Sequence, residues 1–326
     1  MSKTSKRHDE FFKRVFLDKE NVASFIRGGL PPSIKYKTET LSLELDTNTY
    51  TDKHLREHLS DIVYTCNYGG EVKHNIALLF EHKSYLPDIP HIQLGRYIIN
   101  YHEATHKQEK KLKQILPILF YHGSEKLEYK PFKDEFEHYA DELHDYQLNF
   151  RYILFNLKEF TENEIKEGFD SLKLQIALMV MRNIFDVERL ESNIKTIFAE
   201  LDKLLSTDDG QQFFETLLSY VLENSRINEE KFIEEISNIN IQGGKKAMTT
   251  AERLRKEGYK LGKLEGYELG VHNSKRLNAI NSFKKGLDNN TIAIITGLLE
   301  NEVAILRAEY EKKGDKLIAE IESMQL

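Results

Sequence analysis

The chain has 326 residues, of which 40% are hydrophobic and 30% charged, with a formal net charge of −7. This length predicts roughly two or three domains with a substantial core. No apolar run approaches the ~20 residues of a membrane span, and no signal-peptide pattern precedes His8, so we expect a cytoplasmic protein without membrane attachment. The single cysteine, Cys66, excludes an intramolecular disulfide and a multi-cysteine zinc site, and is predicted to be a buried packing residue.

The N-terminal part of the chain predicts a helix and then a β-hairpin. The helix is expected at about residues 8–27. A β-branched and aromatic run from Leu59 to Tyr68 follows, then the turn signal Gly69-Gly70, then a second apolar run from Val72 to Ser84. This arrangement predicts two antiparallel strands.

Charged side chains gather at the open end of this hairpin. Glu81 and Lys83 are two residues apart, so they share one face of the strand, while His82 points the other way. If Asp61 pairs nearby on that face, two carboxylates and an ammonium group converge. Carboxylate oxygens suit Mg²⁺, and an adjacent lysine can position or activate the attacking water. The set is suited to phosphodiester cleavage, although strands that leave a core often end in charged residues.

A second helix is predicted after Pro87 and Pro90. Gln93 and Tyr97 are four residues apart, so they lie on one face of this helix, as in many ordinary amphipathic helices. The helix becomes basic between Lys107 and Lys113.

Two further strands are predicted, from Ile115 to Tyr121 and from Tyr152 to Leu157. The order is then helix, two or three strands, helix, strand. This order is compatible with the αβββαβ core of restriction-endonuclease-like proteins.

Five motifs in this order resemble the PD-(D/E)XK nucleases, and more closely the Rpn group of recombination-promoting, transposase-like nucleases. They are His8–Lys13, Ser60–Tyr64, Phe80–Ser84, Gln93–Tyr97 and Pro117–Gly123, which cover roughly the first half of the chain. A weaker match begins at Met248. The resemblance implies an α/β fold with a restriction-endonuclease-like mixed-sheet core at residues 1–160 and a helical C-terminal extension.

The resemblance also implies roles for individual residues. Asp61 and Glu81 would chelate Mg²⁺, with Mn²⁺ as a substitute and the backbone carbonyl of His82 as a third ligand. Lys83 would orient the attacking water and offset charge in the transition state, and Gln93 would help to hold the nucleophile side of the site. Asp9 is either a more distant carboxylate of this site or a helix-start acid favoured by the macrodipole.

Two departures from the family pattern bear on activity. Asn156 occupies a position where relatives commonly have aspartate, which either weakens the site or matters only for structure. The tryptophan that usually follows the Tyr-His-Gly segment is absent, because the chain contains no tryptophan.

The distribution of charge bears on DNA as a partner, since lysine and arginine supply much of the affinity for phosphates. Residues 161–240 hold 17 acidic and 8 basic residues, whereas residues 244–290 hold 11 basic and 5 acidic ones. The first 30 residues hold 7 basic and 4 acidic residues. The two ends and the Lys107–Lys113 segment are therefore the parts suited to phosphates, although any such patch can be an ordinary solvated surface.

The remaining sequence predicts two helical regions. Residues 161–243 have helical periodicity and are expected to serve as scaffold or dimer surface. In residues 244–326, glycines recur every fourth position, at Gly258, Gly262, Gly266 and Gly270. They indicate either close pairing of helices from two copies of the chain or a flexible, partly helical linker.

The final segment, Arg276 to Tyr310, predicts a helix-turn-helix-like arrangement similar to the tail of Rpn relatives. Glu300 and Glu302 open its candidate recognition helix and would face DNA phosphates unfavourably, so a protein-contact module is at least as well supported.

Together these observations predict a metal-dependent DNA endonuclease linked to recombination or mobile DNA, with DNA and a second copy of the chain as partners. Two alternatives remain. One is a non-catalytic DNA-binding or assembly protein that retains the nuclease fold. The other is a ribonuclease.

Overall fold

The structure, a computed structural model, describes residues 3–46, 62–69, 74–110 and 112–323. Asp61, one of the predicted site residues, lies outside these ranges. The chain forms two compact units, Met1–Ala251 and Glu252–Leu326. The predicted boundaries near residues 160 and 243 stay predictions.

The first unit contains a mixed sheet that, in the described residues, has five strands. They are β1 (Glu44–Leu45), β2 (Ile62–Tyr68), β3 (His74–Lys83), β4 (Gln114–Tyr121) and β5 (Ile153–Asn156), in the spatial order β1-β2-β3-β4-β5. The pairs β1–β2 and β2–β3 are antiparallel, whereas the pairs β3–β4 and β4–β5 are parallel. The mixed α/β fold and the predicted antiparallel pairing of β2 with β3 are thereby confirmed.

The N-terminal segment differs from the prediction of one helix at about residues 8–27. It forms α1 (Lys3–Phe16), α2 (Lys19–Gly29) and the short α3 (Pro32–Lys35). The chain breaks before Lys19 because Asp18 adopts an extended backbone and its carboxylate accepts a hydrogen bond from the Glu20 N–H. A side-chain N-cap of this kind starts a new helix.

Helix α4 (Pro90–Glu109) begins at Pro90, as predicted, and covers one face of the sheet. Leu94, Tyr97 and Tyr101 of α4 pack with Val63 and Leu79 of the sheet. The opposite face packs against α1 and α2 through a cluster of aromatic and aliphatic side chains, which includes Phe12, Phe16, Phe25, Tyr64, Phe80, Phe120 and Phe155. Because side chains alternate along a strand, odd-numbered residues of β3 face α4 and even-numbered ones face α1.

Six helices follow the sheet within the first unit. They are α5 (Glu162–Gly168), α6 (Leu172–Asn183), α7 (Val187–Ile197), α8 (Leu201–Leu205), α9 (Asp208–Asn224) and α10 (Glu229–Ile239). Their apolar residues, among them Leu178, Phe198, Phe214 and Phe232, belong to the same cluster as the phenylalanines of α1 and α2. The helical region therefore shares a continuous core with the α1 side of the sheet.

The long helix α11 (Ile241–Lys284) has 44 residues and includes the boundary between the units. It is followed by α12 (Asn289–Thr296), α13 (Glu300–Lys313) and α14 (Asp315–Ser323), which pack in the second unit around Phe283, Ile292 and Val303. The four glycines spaced by four lie within the continuous α11, and a Cβ added at any of them would meet no atom within 4 Å. None of the helices in the described ranges has the length and apolar character needed to cross a membrane.

Candidate active site

The structure brings three predicted site residues together where β3 ends beside α4. Glu81 and Lys83 are 2% and 3% exposed, and Lys83 Nζ lies 2.6 Å from Glu81 Oε1. The Gln93 side-chain amide donates to the same oxygen at 2.5 Å and to the Tyr97 hydroxyl at 2.8 Å. The four side chains meet between β3 and α4, where an ammonium group and an amide hold the buried carboxylate and Tyr97 restrains the amide in turn.

The second oxygen of Glu81 has a different environment. Oε2 is buried, and no described residue gives it a hydrogen-bond partner. A buried carboxylate oxygen without a donor is unfavourable unless another group satisfies it, and a hard cation is a suitable one. Glu81 Oε2 therefore has the chemistry of one ligand to a divalent metal.

The described residues do not complete a metal site. They contain no group of three or more histidine, cysteine, aspartate or glutamate side chains placed to hold a metal ion. Asp61, the predicted second carboxylate, is not described, but it directly precedes Ile62, which pairs with Phe80 across the β2–β3 ladder.

The His82 side chain points to the other face of the sheet, as strand alternation predicts. Its Nδ1 lies 3.5 Å from Asp9 Oδ1, and its Nε2 shares a hydrogen bond of 3.1 Å with His122 Nδ1. Its ring stacks on Phe12 at 4.6 Å between centroids. Burial lowers the pKa of His82, although the Asp9 carboxylate acts in the opposite direction. The His82 ring therefore connects β3 to α1 and to the end of β4.

The Asp9 side chain contacts His82 on the α1 face of the sheet, which is opposite the face that carries Glu81 and Lys83. Burial alone would raise the pKa of Asp9, but its interactions with His82 and Lys13 prevail and lower it. Lys13 Nζ lies 3.2 Å from Asp9 Oδ2. Its role as a more distant carboxylate of the site stays a prediction.

Two further buried histidines extend this cluster, and sequence reasoning assigned them no role. His8 Nδ1 shares a hydrogen bond of 2.7 Å with the Tyr220 hydroxyl, and its ring lies 5.3 Å from that of His122. Burial, reinforced by the nearby His82, lowers the pKa of His8 to about 4 and that of His122 well below its usual value. These contacts connect α1, the end of β4 and α9, segments that are far apart in sequence.

Asn156 lies at the end of β5, where relatives were expected to carry aspartate. Lys83 pairs with Tyr121, which pairs with Asn156, so Asn156 is two strand spacings, about 10 Å, from Lys83. Its amide donates to the Leu127 carbonyl at 3.1 Å, and its oxygen accepts from the Lys158 N–H at 3.2 Å. Asn156 therefore fixes the backbone where β5 ends, which favours the structural interpretation.

A cavity of about 420 Å³ opens next to the buried carboxylate. Lys83, Gln93 and Tyr97 line it, together with Tyr85, Ile92 and Arg96, for which no role was predicted. The spacing of Gln93 and Arg96, three residues apart on a helix, is the signal that could have placed Arg96 here.

The fold and this site define a mixed α/β protein whose carboxylate–lysine pair lies beside an open cavity. The chain belongs to the family of putative transposases, YhgA-like, whose family model matches residues 6–212. The predicted resemblance to the Rpn group is thereby confirmed.

Similar proteins carry Rpn names. The chain is 24% identical over 320 residues to the "Inactive recombination-promoting nuclease-like protein RpnE" of Escherichia coli K12, covering 93% of this chain and 98% of that protein. It is 26% identical over 269 residues to "Recombination-promoting nuclease RpnD" of Escherichia coli O157:H7, covering 78% and 96%, respectively. It is also 26% identical over 269 residues to "Recombination-promoting nuclease RpnA" of strain K12, covering 78% and 85%. No solved structure matches the chain.

Proposed function

We propose that the chain is a Mg²⁺-dependent endonuclease that hydrolyses phosphodiester bonds of DNA in recombination or in mobile DNA. The observation that carries the proposal is that the two carboxylate oxygens of Glu81 have different environments. Oε1 is held by Lys83 and Gln93, while Oε2 is buried without a described partner. The names of RpnD and RpnA support nuclease activity as the class of function. The restriction-endonuclease-like identity of the core is part of this proposal.

The residues of the chain have distinct roles in this mechanism. Glu81 and Asp61, with the His82 backbone carbonyl, would hold Mg²⁺, which supplies positive charge to the phosphate oxygens when bound. Lys83 orients the attacking water for in-line attack and offsets negative charge in the transition state. Gln93 keeps the Glu81 carboxylate in position, and Tyr97 in turn restrains Gln93 through their 2.8 Å hydrogen bond.

A non-catalytic DNA-binding or assembly protein is the second candidate. It is favoured by the name of the relative RpnE, which calls that protein "inactive". The intact set of Glu81, Lys83 and Gln93 supports catalysis, because a buried ion pair is costly to desolvate and adds little stability of its own.

The first experiment measures nicking of supercoiled plasmid in Mg²⁺ or Mn²⁺. We expect nicking by the wild-type chain, and we expect EDTA and Glu81→Gln to abolish it. Glu137→Gln, which changes an exposed glutamate in the same unit, serves as the matched control and should retain activity. A folded wild-type protein that does not cut DNA with either metal would overturn the proposal, and cleavage of RNA alone would replace DNA with RNA as the substrate.

Metal binding is tested separately by calorimetric titration of Mn²⁺ into the protein without nucleic acid. We expect binding to the wild type that is lost in Glu81→Gln and in Asp61→Ala, since both carboxylates are proposed ligands. Binding that persists in both variants would remove these two residues from the proposed site.

Pairing of two copies through α11 is a further part of the proposal. It is supported by exposed apolar side chains around the glycine positions, among them Tyr259, Leu264 and Tyr267. Light scattering after size exclusion should give a dimer for the wild type and a monomer for Leu264→Glu. A monomeric wild type would refute the pairing.

The predicted cytoplasmic location stays a prediction.

A further inference from the structure

The cavity beside Lys83 combines two kinds of wall. Lys83, Gln93 and Tyr97 form a polar end that is continuous with the buried Glu81 carboxylate. Tyr85 and Ile92, which remain 44% and 49% exposed, contribute aromatic and aliphatic surface, and Arg96 adds an exposed guanidinium group. Its volume of about 420 Å³ is within the range of pockets that bind small organic groups.

The position of Tyr85 connects the aromatic wall to the reacting groups. Lys83 Nζ lies 5.4 Å from the centroid of the Tyr85 ring, a distance typical of a cation–π contact. The ring is therefore held next to the ammonium group that is proposed to act at the scissile phosphate, while nearly half of the residue surface is exposed to solvent.

We propose that this cavity receives an unpaired nucleobase adjacent to the scissile phosphate, so that the preferred substrate is single-stranded or locally unpaired DNA. The inference rests on the proposed function and names its substrate class. A duplex presents its sugar–phosphate backbone to a protein, and cations and hydrogen-bond donors are sufficient to bind it. An aromatic and aliphatic wall next to the site is suited instead to the flat face of a base that is not stacked in a helix.

The charges at the cavity agree with this occupant. Arg96 offers a cation to a neighbouring phosphate, in line with the general use of arginine for phosphates. Asp88, also in the wall, would repel a second phosphate but can accept a hydrogen bond from the exocyclic amino group of a base. Opposite charges at two positions suit a nucleotide better than a run of backbone phosphates.

The test compares three fluorescent substrates of one sequence: a single strand, a perfect duplex, and a duplex with a central bulge. Cleavage is measured for the wild type, Tyr85→Ala, Tyr85→Leu and Tyr85→Phe, with Tyr146→Ala as an exposed tyrosine control in the same unit. We expect the wild type to cut the single strand and the bulge faster than the duplex. Tyr85→Ala and Tyr85→Leu should lower these two rates roughly five- to 100-fold, the size of one lost base–aromatic stack, while Tyr85→Phe and Tyr146→Ala retain them.

Fluorescence anisotropy with EDTA measures binding of the same substrates without cleavage. Tighter binding of the single strand, weakened by Tyr85→Leu and kept by Tyr85→Phe, supports the inference even if no cleavage occurs. Equal binding and equal cleavage of single strand and duplex would overturn it, as would a Tyr85→Leu effect of the same size on all three substrates. Absence of cleavage with every substrate would instead overturn the proposed function, so the two failures are distinguishable.

Discussion

Replacement of Lys83 by methionine should strongly destabilise the first unit, and the buried pair with Glu81 explains why. The two charged groups are 2.6 Å apart, and their side chains are 4% and 2% exposed. Lys83→Met keeps most of the apolar length of the side chain but leaves the Glu81 carboxylate buried with Gln93 as its described donor. Breaking a buried pair by removal of one partner costs about 3–5 kcal/mol, a large part of the roughly 5–15 kcal/mol that stabilises a typical domain.

Urea unfolding followed by circular dichroism measures this cost. We expect the double variant Glu81→Gln/Lys83→Met to recover at least half of the lost free energy of unfolding, because it removes both charges together. Lys130→Met, at an exposed position in the same unit, should change the free energy by no more than about 0.5 kcal/mol. A cost below about 1 kcal/mol for Lys83→Met, or a double variant as unstable as the single one, would refute the reasoning.

Three further predictions concern other parts of the molecule. Burial raises the pKa of the Cys66 thiol to about 11, so iodoacetamide at pH 8 should label Cys66 only after unfolding; rapid labelling of the native protein would contradict this. Burial lowers the pKa of His8 to about 4, below its value of about 6.5 in the unfolded chain, so protonation of His8 favours unfolding. The contribution of His8 to the free energy of unfolding should therefore be largest above about pH 6.5 and fall by about 3 kcal/mol as the pH is lowered to 4. Urea midpoints should show this loss in the wild type and a smaller one in His8→Gln, and equal pH dependence would speak against it. A Cβ at Gly28 would lie 2.2 Å from the Gly168 carbonyl oxygen, so Gly28→Ala should lower the free energy of unfolding by about 1–3 kcal/mol. Gly168→Ala, where the Cβ meets no atom within 4 Å, should instead strengthen α5 slightly; equal thermal shifts for the two alanine variants would be the contrary result.

Local patterns were sufficient to predict most of the sheet. The apolar runs correctly placed β2, β3, β4 and β5, and the spacing of Glu81 and Lys83 correctly predicted that they share a face. The single helix predicted at about residues 8–27 was wrong, although Asp18 carried the N-cap signal that divides it. Strand positions, strand faces and N-caps depend only on residues that are close together in the chain, so they can be predicted from the sequence.

Contacts between distant segments could not be predicted in the same way. His8 and Tyr220 are separated by 212 positions, and nothing in either local sequence indicates that their side chains meet. The roles of Tyr85 and Arg96 likewise depend on how β3 and α4 are packed, because only that packing places both residues around one cavity. The catalytic roles of Asp61, Glu81, Lys83 and Gln93 stay predictions.

The alternation of Glu81, His82 and Lys83 across β3 has a consequence for how this segment can change in evolution. Three consecutive residues serve opposite sides of the sheet, with the ion pair towards α4 and the imidazole towards α1. Insertion or deletion of one residue upstream in β3 would exchange the two sides and place both charges among the phenylalanines of α1 and α2. We therefore expect natural variants of this strand to differ by substitution and to conserve its length.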